Sequence, residues 1–171
     1  IEGKTVQRTN KMPRESGVIT HVPPTILERY GNVTLGVDVL HINGKLFMIG
    51  ISKHIKYYQC VAIRNKSATT FFKTIKMFKS DYTLRGFNVV MIYADRAFAS
   101  CRTDLKEEGI TLNCCDANAH VQFVERGIRF IKERIRCVRS MMPKAVKKLP
   151  HKLMRELVFS TVKMVNSIRR P

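Results

Sequence analysis

Residues 87–95, FNVVMIYAD, constrain this chain more than any other stretch. Val89 to Ile92 are apolar without alternation, and Phe87, Tyr93 and Ala94 extend the run. Such a run suits a strand covered on both faces, as in the middle of an α/β sheet. Gly86 stops whatever precedes it, and the strand ends on a carboxylate, Asp95, with Arg96 directly after it. Ligands of open α/β sheets gather just outside the carboxyl ends of the strands, so Asp95 is placed for chemistry or metal binding. An Asp at this position also suits capping of the following turn. Convergence of other carboxylates decides between the two.

The core begins with TLGVDVLH, residues 34–41. Leu35, Val37 and Val39 fall on one face and Gly36, Asp38 and Leu40 on the other. An aspartate among aliphatics in mid-strand is costly unless it is paired or coordinated, which makes Asp38 the second candidate; on an edge strand it would simply face water. Asn43-Gly44 is a two-residue hairpin signal leading into KLFMIGIS (45–52). A turn near Lys53-His54 then gives KYYQCVAI (56–63), so three antiparallel strands form a meander.

Ser67 is set to cap a helix reaching about Leu84, with a core stripe at Phe71, Phe72, Ile75, Phe78 and Tyr82. After the buried strand come a short helix near 102–107, Gly109 and the strand ITLNC. In 121–142, Val121, Val124, Ile128, Ile131, Ile135, Val138 and Met142 step by three and four along one helical face. Glu125, Arg129, Lys132 and Arg136 occupy another, and Pro143 ends the helix. A last helix over about 147–168 carries Leu149, Leu153, Leu157, Val158, Val162 and Val165.

Three antiparallel strands, helix, strand, helix, strand and two helices make the layout of the ribonuclease H-like fold: α/β, a mixed five-stranded sheet with helices on both faces. The division expected is a basic arm over 1–31, with one or two helical turns at 25–30, a core over 32–168, and the start of a truncated C-terminal linker at 169–171. Gly3-Lys4-Thr5 looks like the tail of a phosphate-binding loop but lacks the upstream glycine and following apolar helix of one.

Charge narrows the partners. Lys and Arg number 31 against 13 Asp and Glu, a net of +18, and residues 121–171 alone hold 14 basic and 3 acidic residues, a net of +11. Solvated surfaces usually mix signs, so an excess this concentrated points to a polyanion, most often nucleic acid. No apolar run has the length of a membrane span. The five cysteines, Cys60, Cys101, Cys114, Cys115 and Cys137, share no repeated spacing. Cys114-Cys115 with His120 lacks the second Cys/His pair of a zinc site, so mostly buried, reduced thiols are expected.

In the expected fold Asp38 and Asp95 lie on neighbouring strands, and the helix from 121 supplies Glu125 from its first turn. Phosphodiester cleavage and strand transfer are in-line displacements in which two divalent cations about 4 Å apart activate the attacking oxygen and stabilise the leaving one. Hard cations such as magnesium take oxygen ligands, which explains a carboxylate cluster. Glu125 with Arg129 could be an ordinary i,i+4 pair, yet Lys132 and Arg136 continue the stripe beyond what one acid neutralises. A cationic face beside a metal cluster suits phosphates.

TLGVDVLHING, YADRAF and HVQFVERGIRFIKER resemble the three catalytic blocks of the retroelement integrase core, with copia-type retrotransposon integrases the nearest likeness, over about residues 32–168. The resemblance implies that Asp38, Asp95 and Glu125 are the catalytic triad holding two magnesium ions, with manganese as substitute. It implies that Arg129 and Lys132, one and two turns beyond the glutamate, touch the DNA ends of the element, with Arg136 and Arg126 as further nucleic-acid contacts. It implies 3′-end processing and strand transfer, DNA as partner, a homo-oligomer in the full-length protein, and a nuclear site of action after particle assembly in the cytoplasm.

Departures keep two alternatives open. Only 29 residues separate Asp95 from Glu125, fewer than is usual in such cores, and the Gly/Pro loop that often precedes the glutamate is missing. Arg96 and Ala97 stand where a glycine or small polar residue and an acid are common, although Phe98 is kept. The Arg96 guanidinium is expected to fold back onto Asp95 as a charge-assisted pair. A catalytically degenerate nucleic-acid-binding remnant would look like this. A ribonuclease H-like nuclease would need a fourth carboxylate near the chain end, where only Glu156 is available.

Overall fold

The computed structural model describes residues 22–114, 122–142 and 149–167. Strands β1 (Asn32–Ile42), β2 (Lys45–Ser52), β3 (Tyr58–Ile63), β4 (Asn88–Ala94) and β5 (Thr111–Cys114) form one sheet in the order β3-β2-β1-β4-β5. β1 to β3 are antiparallel neighbours, whereas β4 runs parallel to β1 and β5 parallel to β4. The helices are α1 (Pro24–Tyr30), α2 (Ala68–Thr83), α3 (Arg102–Glu107), α4 (Gln122–Ser140) and α5 (His151–Ser167). This is the mixed five-stranded ribonuclease H-like architecture expected from the sequence.

The turn between β1 and β2 has positive φ at both Asn43 (47°) and Gly44 (71°), the backbone a two-residue hairpin needs to match strand twist. β3 starts two residues later than expected. Lys56 takes a left-handed φ of 58°, and Ser52 closes the turn, its backbone N–H donating to Tyr57 O (3.1 Å) and its hydroxyl accepting from Tyr57 N–H (2.9 Å). Ser67 caps α2 by accepting from the Thr70 N–H, satisfying one of the donors a helix start leaves open.

Two cores flank the sheet. On one side Phe71, Ile75, Phe78 and Tyr82 of α2 pack with Leu35, Val37, Val89 and Ile92, and Leu27 and Tyr30 of α1 join them at the edge. On the other, Ile128, Ile131 and Ile135 of α4 and Met154, Val158, Val162 and Val165 of α5 cover Leu40, Ile42, Phe47, Ile49 and Ile51. The second core contains no β4 residue among those described. Val89, Ile92 and Ala94 are buried, while Val90, Met91 and Tyr93 are half-buried. The expected strand is therefore fully covered on one face only, because α4 and α5 lie over β1, β2 and β3.

The expected stripe of the last helix holds at Val158, Val162 and Val165, with Leu149 and Leu157 packed at its margin, and fails at one position. Leu153 is 54% exposed and Met154 is buried. The core face runs Met154, Val158, Thr161, Val162 and Val165. Thr161 fits there because its hydroxyl donates to Leu157 O at 2.7 Å, leaving no unpaired polar group. A leucine count alone could not place a stripe that contains a threonine. Cys60, Cys101, Cys114 and Cys137 are free thiols. Burial pushes the Cys60 thiol up to about 12, while Cys137 is exposed. Cys115, His120, Val121, Pro143, Lys147, the Gly3-Lys4-Thr5 segment and 169–171 lie outside the described residues.

Candidate active site

Parallel pairing brings the two aspartates together. Val37 is in register with Ala94, the last residue of β4, so Asp38 and Asp95 follow directly after a residue pair on strands spaced about 4.8 Å apart. α4 reaches the same place through two glycines. A Cβ on Gly36 would collide with Val124 Cγ2 and sit 2.6 Å from Phe123 Cζ. A Cβ on Gly127 would collide with Ile51 Cδ1 and sit 2.9 Å from Tyr58 Cε1. The first turn of α4 thus seats directly on the sheet two residues before Asp38, with Glu125 between the two seats. The sequence carried a signal for this in a glycine inside an otherwise aliphatic strand, which often marks close backbone approach.

Asp38 and Glu125 line one cavity of about 330 Å³ with Ile128, Arg129, Lys132 and Arg136. The spacing of Glu125, Arg129, Lys132 and Arg136 puts them on one helical face. Arg126 is exposed and outside that lining, as is Glu133. Glu156, in α5, is an exposed residue beside Arg155 (3.7 Å) and does not line the cavity.

Asp38 is half-buried and accepts a 2.6 Å hydrogen bond from the Val39 N–H. Burial pushes its carboxyl above the ordinary carboxylate range, and the Val39 bond opposes that. The negative charges of Asp95 and Glu125 push it further up, against a smaller pull from Lys66. Asp38 therefore lies within electrostatic reach of both other carboxylates. Asp95 is exposed and caps the 3₁₀ turn Arg96–Cys101 by accepting from the Arg96 backbone N–H. The capping use of Asp95 is thus present. The expected fold-back is not, since no ion pair joins the Arg96 guanidinium to Asp95 among the described residues. The main-chain N–H reaches the carboxylate first because the turn starts at that residue.

Among the described residues, no three His, Cys, Asp or Glu side chains stand close enough to enclose a single ion. The chemistry of the donors nevertheless suits a hard divalent cation. All three are carboxylates, and a cation would offset both the burial of the Asp38 charge and the push it receives from Asp95 and Glu125.

The raised Asp38 carboxyl, pushed up first by burial and then by its two acidic neighbours, predicts a stability effect. The folded-state carboxyl titrates above its unfolded value, so ionised Asp38 favours unfolding. That cost is absent below the unfolded pKa, grows across the interval, and is complete above the folded one. Asp38→Asn, which keeps an oxygen for the Val39 N–H, is expected to melt higher than wild type at pH 7 in EDTA, with the gap narrowing as pH falls through the carboxylate range. Calorimetry across pH checks it, and an equal or lower Tm for the variant at pH 7 would contradict it.

The class this geometry defines is the ribonuclease H-like fold of integrase catalytic cores. Among solved structures, the catalytic core domain of BIV integrase matches with a TM-score of 0.62 and 16% sequence identity, over 81% of this chain and 86% of that one. At that identity the likeness carries the fold alone. No protein-family model and no curated protein sequence matches the chain.

Proposed function

We propose that this chain is the catalytic core of a retroelement integrase of the copia type, binding DNA and carrying out metal-dependent 3′-end processing and strand transfer. One observation carries the reading: the Asp38–Glu125 groove continues directly into Arg129, Lys132 and Arg136 on the same helical face. Carboxylates at one end suit metal, and cations along the other suit phosphates. Asp38, Asp95 and Glu125 are the groups that would hold two magnesium ions, or manganese in their place. Bound there, the metal would polarise the attacking and leaving oxygens. Arg129, Lys132 and Arg136 hold the DNA backbone, and the half-covered face of β4 beside Asp95 leaves room for it. A homo-oligomer acting in the nucleus completes the proposal.

The test is joining or disjoining of duplex DNA carrying a branched, strand-transfer-like end, with magnesium or manganese. Metal-dependent conversion supports the reading. DNA binding with no conversion in either metal would leave the non-enzymatic remnant. Glu156, exposed and outside the groove, gives the nuclease alternative no fourth carboxylate.

DNA affinity should fall with salt, since each neutralised phosphate releases counterions. Changing Arg129 and Lys132 together to Ala is expected to flatten the slope of log K against log salt by about two units. Fluorescence anisotropy between 50 and 200 mM salt reads it. An unchanged slope removes both residues from the interface.

A further inference from the structure

We propose that a second cavity, beyond the far end of α4, is a phosphate-backbone subsite for the same DNA that occupies the Asp38–Glu125 groove. It rests on the DNA-processing reading above. This cavity measures about 520 Å³ and is lined by Lys45, Arg64, His151, Lys152 and Arg155 around a floor of β2 and β3 residues. No acidic residue is among its described lining residues. Lys45, Arg64 and Lys152 meet no carboxylate within ion-pair distance among the described residues. Arg155 has only a 3.7 Å approach to Glu156, with both side chains more than half exposed, an arrangement worth little in water. Four cations converging on a concave surface without neutralising acids are suited to an anion with several charges.

Continuity with the first groove says which anion. α4 seats its first turn on Gly36, and at its other end Arg139 Nη1 comes within 3.5 Å of Asn43 Oδ1 in the β1–β2 turn. The helix therefore runs alongside β1 from the carboxylates to the hairpin. Gly44 and Lys45, the next two residues, line the second cavity. Arg129, Lys132, Arg136 and Arg139 thus connect the two cavities. From Glu125 to Arg139 the axis advances about 21 Å at about 1.5 Å per residue. One DNA strand covers that distance in about six nucleotides at roughly 3.4 Å each. A duplex with its end at the carboxylates would place backbone phosphates at the second cavity, whereas a small free anion would have no need of the connecting row.

The experiment measures salt slopes on a 20-base-pair duplex for the wild type, Arg64→Ala/Lys152→Ala, Arg129→Ala/Lys132→Ala and the quadruple variant. Arg64 and Lys152 are exposed, so their loss leaves the fold intact, which circular dichroism confirms. The expected result is a slope flattened by about two units in each double variant and about four in the quadruple, because one bound duplex spans both sets. A parallel titration uses tripolyphosphate. An unchanged slope in Arg64→Ala/Lys152→Ala, beside a flattened one in Arg129→Ala/Lys132→Ala, overturns the second subsite and leaves the first reading standing. Losses that fail to add also overturn it. Saturable tripolyphosphate binding lost in Arg64→Ala/Lys152→Ala without any change in DNA slope assigns the cavity to a free polyphosphate and overturns it too. A wild type that binds no duplex sinks both proposals.

Discussion

Asp38→Asn and Glu125→Gln are each expected to lower metal-dependent DNA joining by at least about 10²–10³-fold, the scale of losing one group that stabilises charge in a transition state. Duplex affinity should stay at or above the wild-type value, because each change removes a negative charge from a groove that also holds Arg129, Lys132 and Arg136. That pairing of results separates lost chemistry from lost folding. The same variants should lose the stabilisation that divalent ions give. At a magnesium concentration 100 times Kd, binding to the folded state contributes about 2.7 kcal/mol, or about 5–10 °C in Tm for a domain of this size. Wild type should show this rise in thermal scans, and Asp38→Asn should not. Activity within tenfold of wild type in either variant would remove that residue from the site.

Legibility followed local physics. The non-alternating run before Asp95, the Asn43-Gly44 turn, the Ser67 cap and the three-four stripe of α4 are each signals that neighbouring residues settle among themselves, and each element stands where the sequence put it. The pairing of β1 with β4 followed from element order, and it sets Asp38 beside Asp95. Elements whose placement depends on a distant partner were harder. The face of α5 is chosen by packing against α4 and β3, so Met154 and Thr161 displaced Leu153 from the core. The sequence at Arg96 points to its guanidinium, while the turn geometry makes its main-chain N–H the group that meets Asp95. The second cavity gathers residues 45, 64, 151, 152 and 155, which no spacing rule links.

The glycine contacts of α4 yield the other large effect. Gly36→Ala places a methyl group against Val124 Cγ2 and Phe123 Cζ. Phe123 can swing its ring end, since it is only half-buried. Val124 is buried and anchored on the helix, so relief there means moving the first turn of α4. Overpacking of this kind costs about 1–3 kcal/mol. Replacing glycine recovers at most about 1 kcal/mol through the unfolded chain, so destabilisation wins. The larger consequence is geometric. Glu125 follows Val124 directly, and a displacement of about 1 Å at a reacting centre can cost 10²-fold in rate. Joining should therefore fall about 100-fold while the salt slope, which the proposal assigns to Arg129 and Lys132 further along α4, barely changes. Gly36→Ala combined with Val124→Ala makes room for the new methyl group. The pair should be more active than Gly36→Ala alone, a positive coupling that a double-mutant cycle measures. Wild-type activity and Tm in Gly36→Ala, or no recovery in the double variant, would show that the α4–β1 contact does not position Glu125.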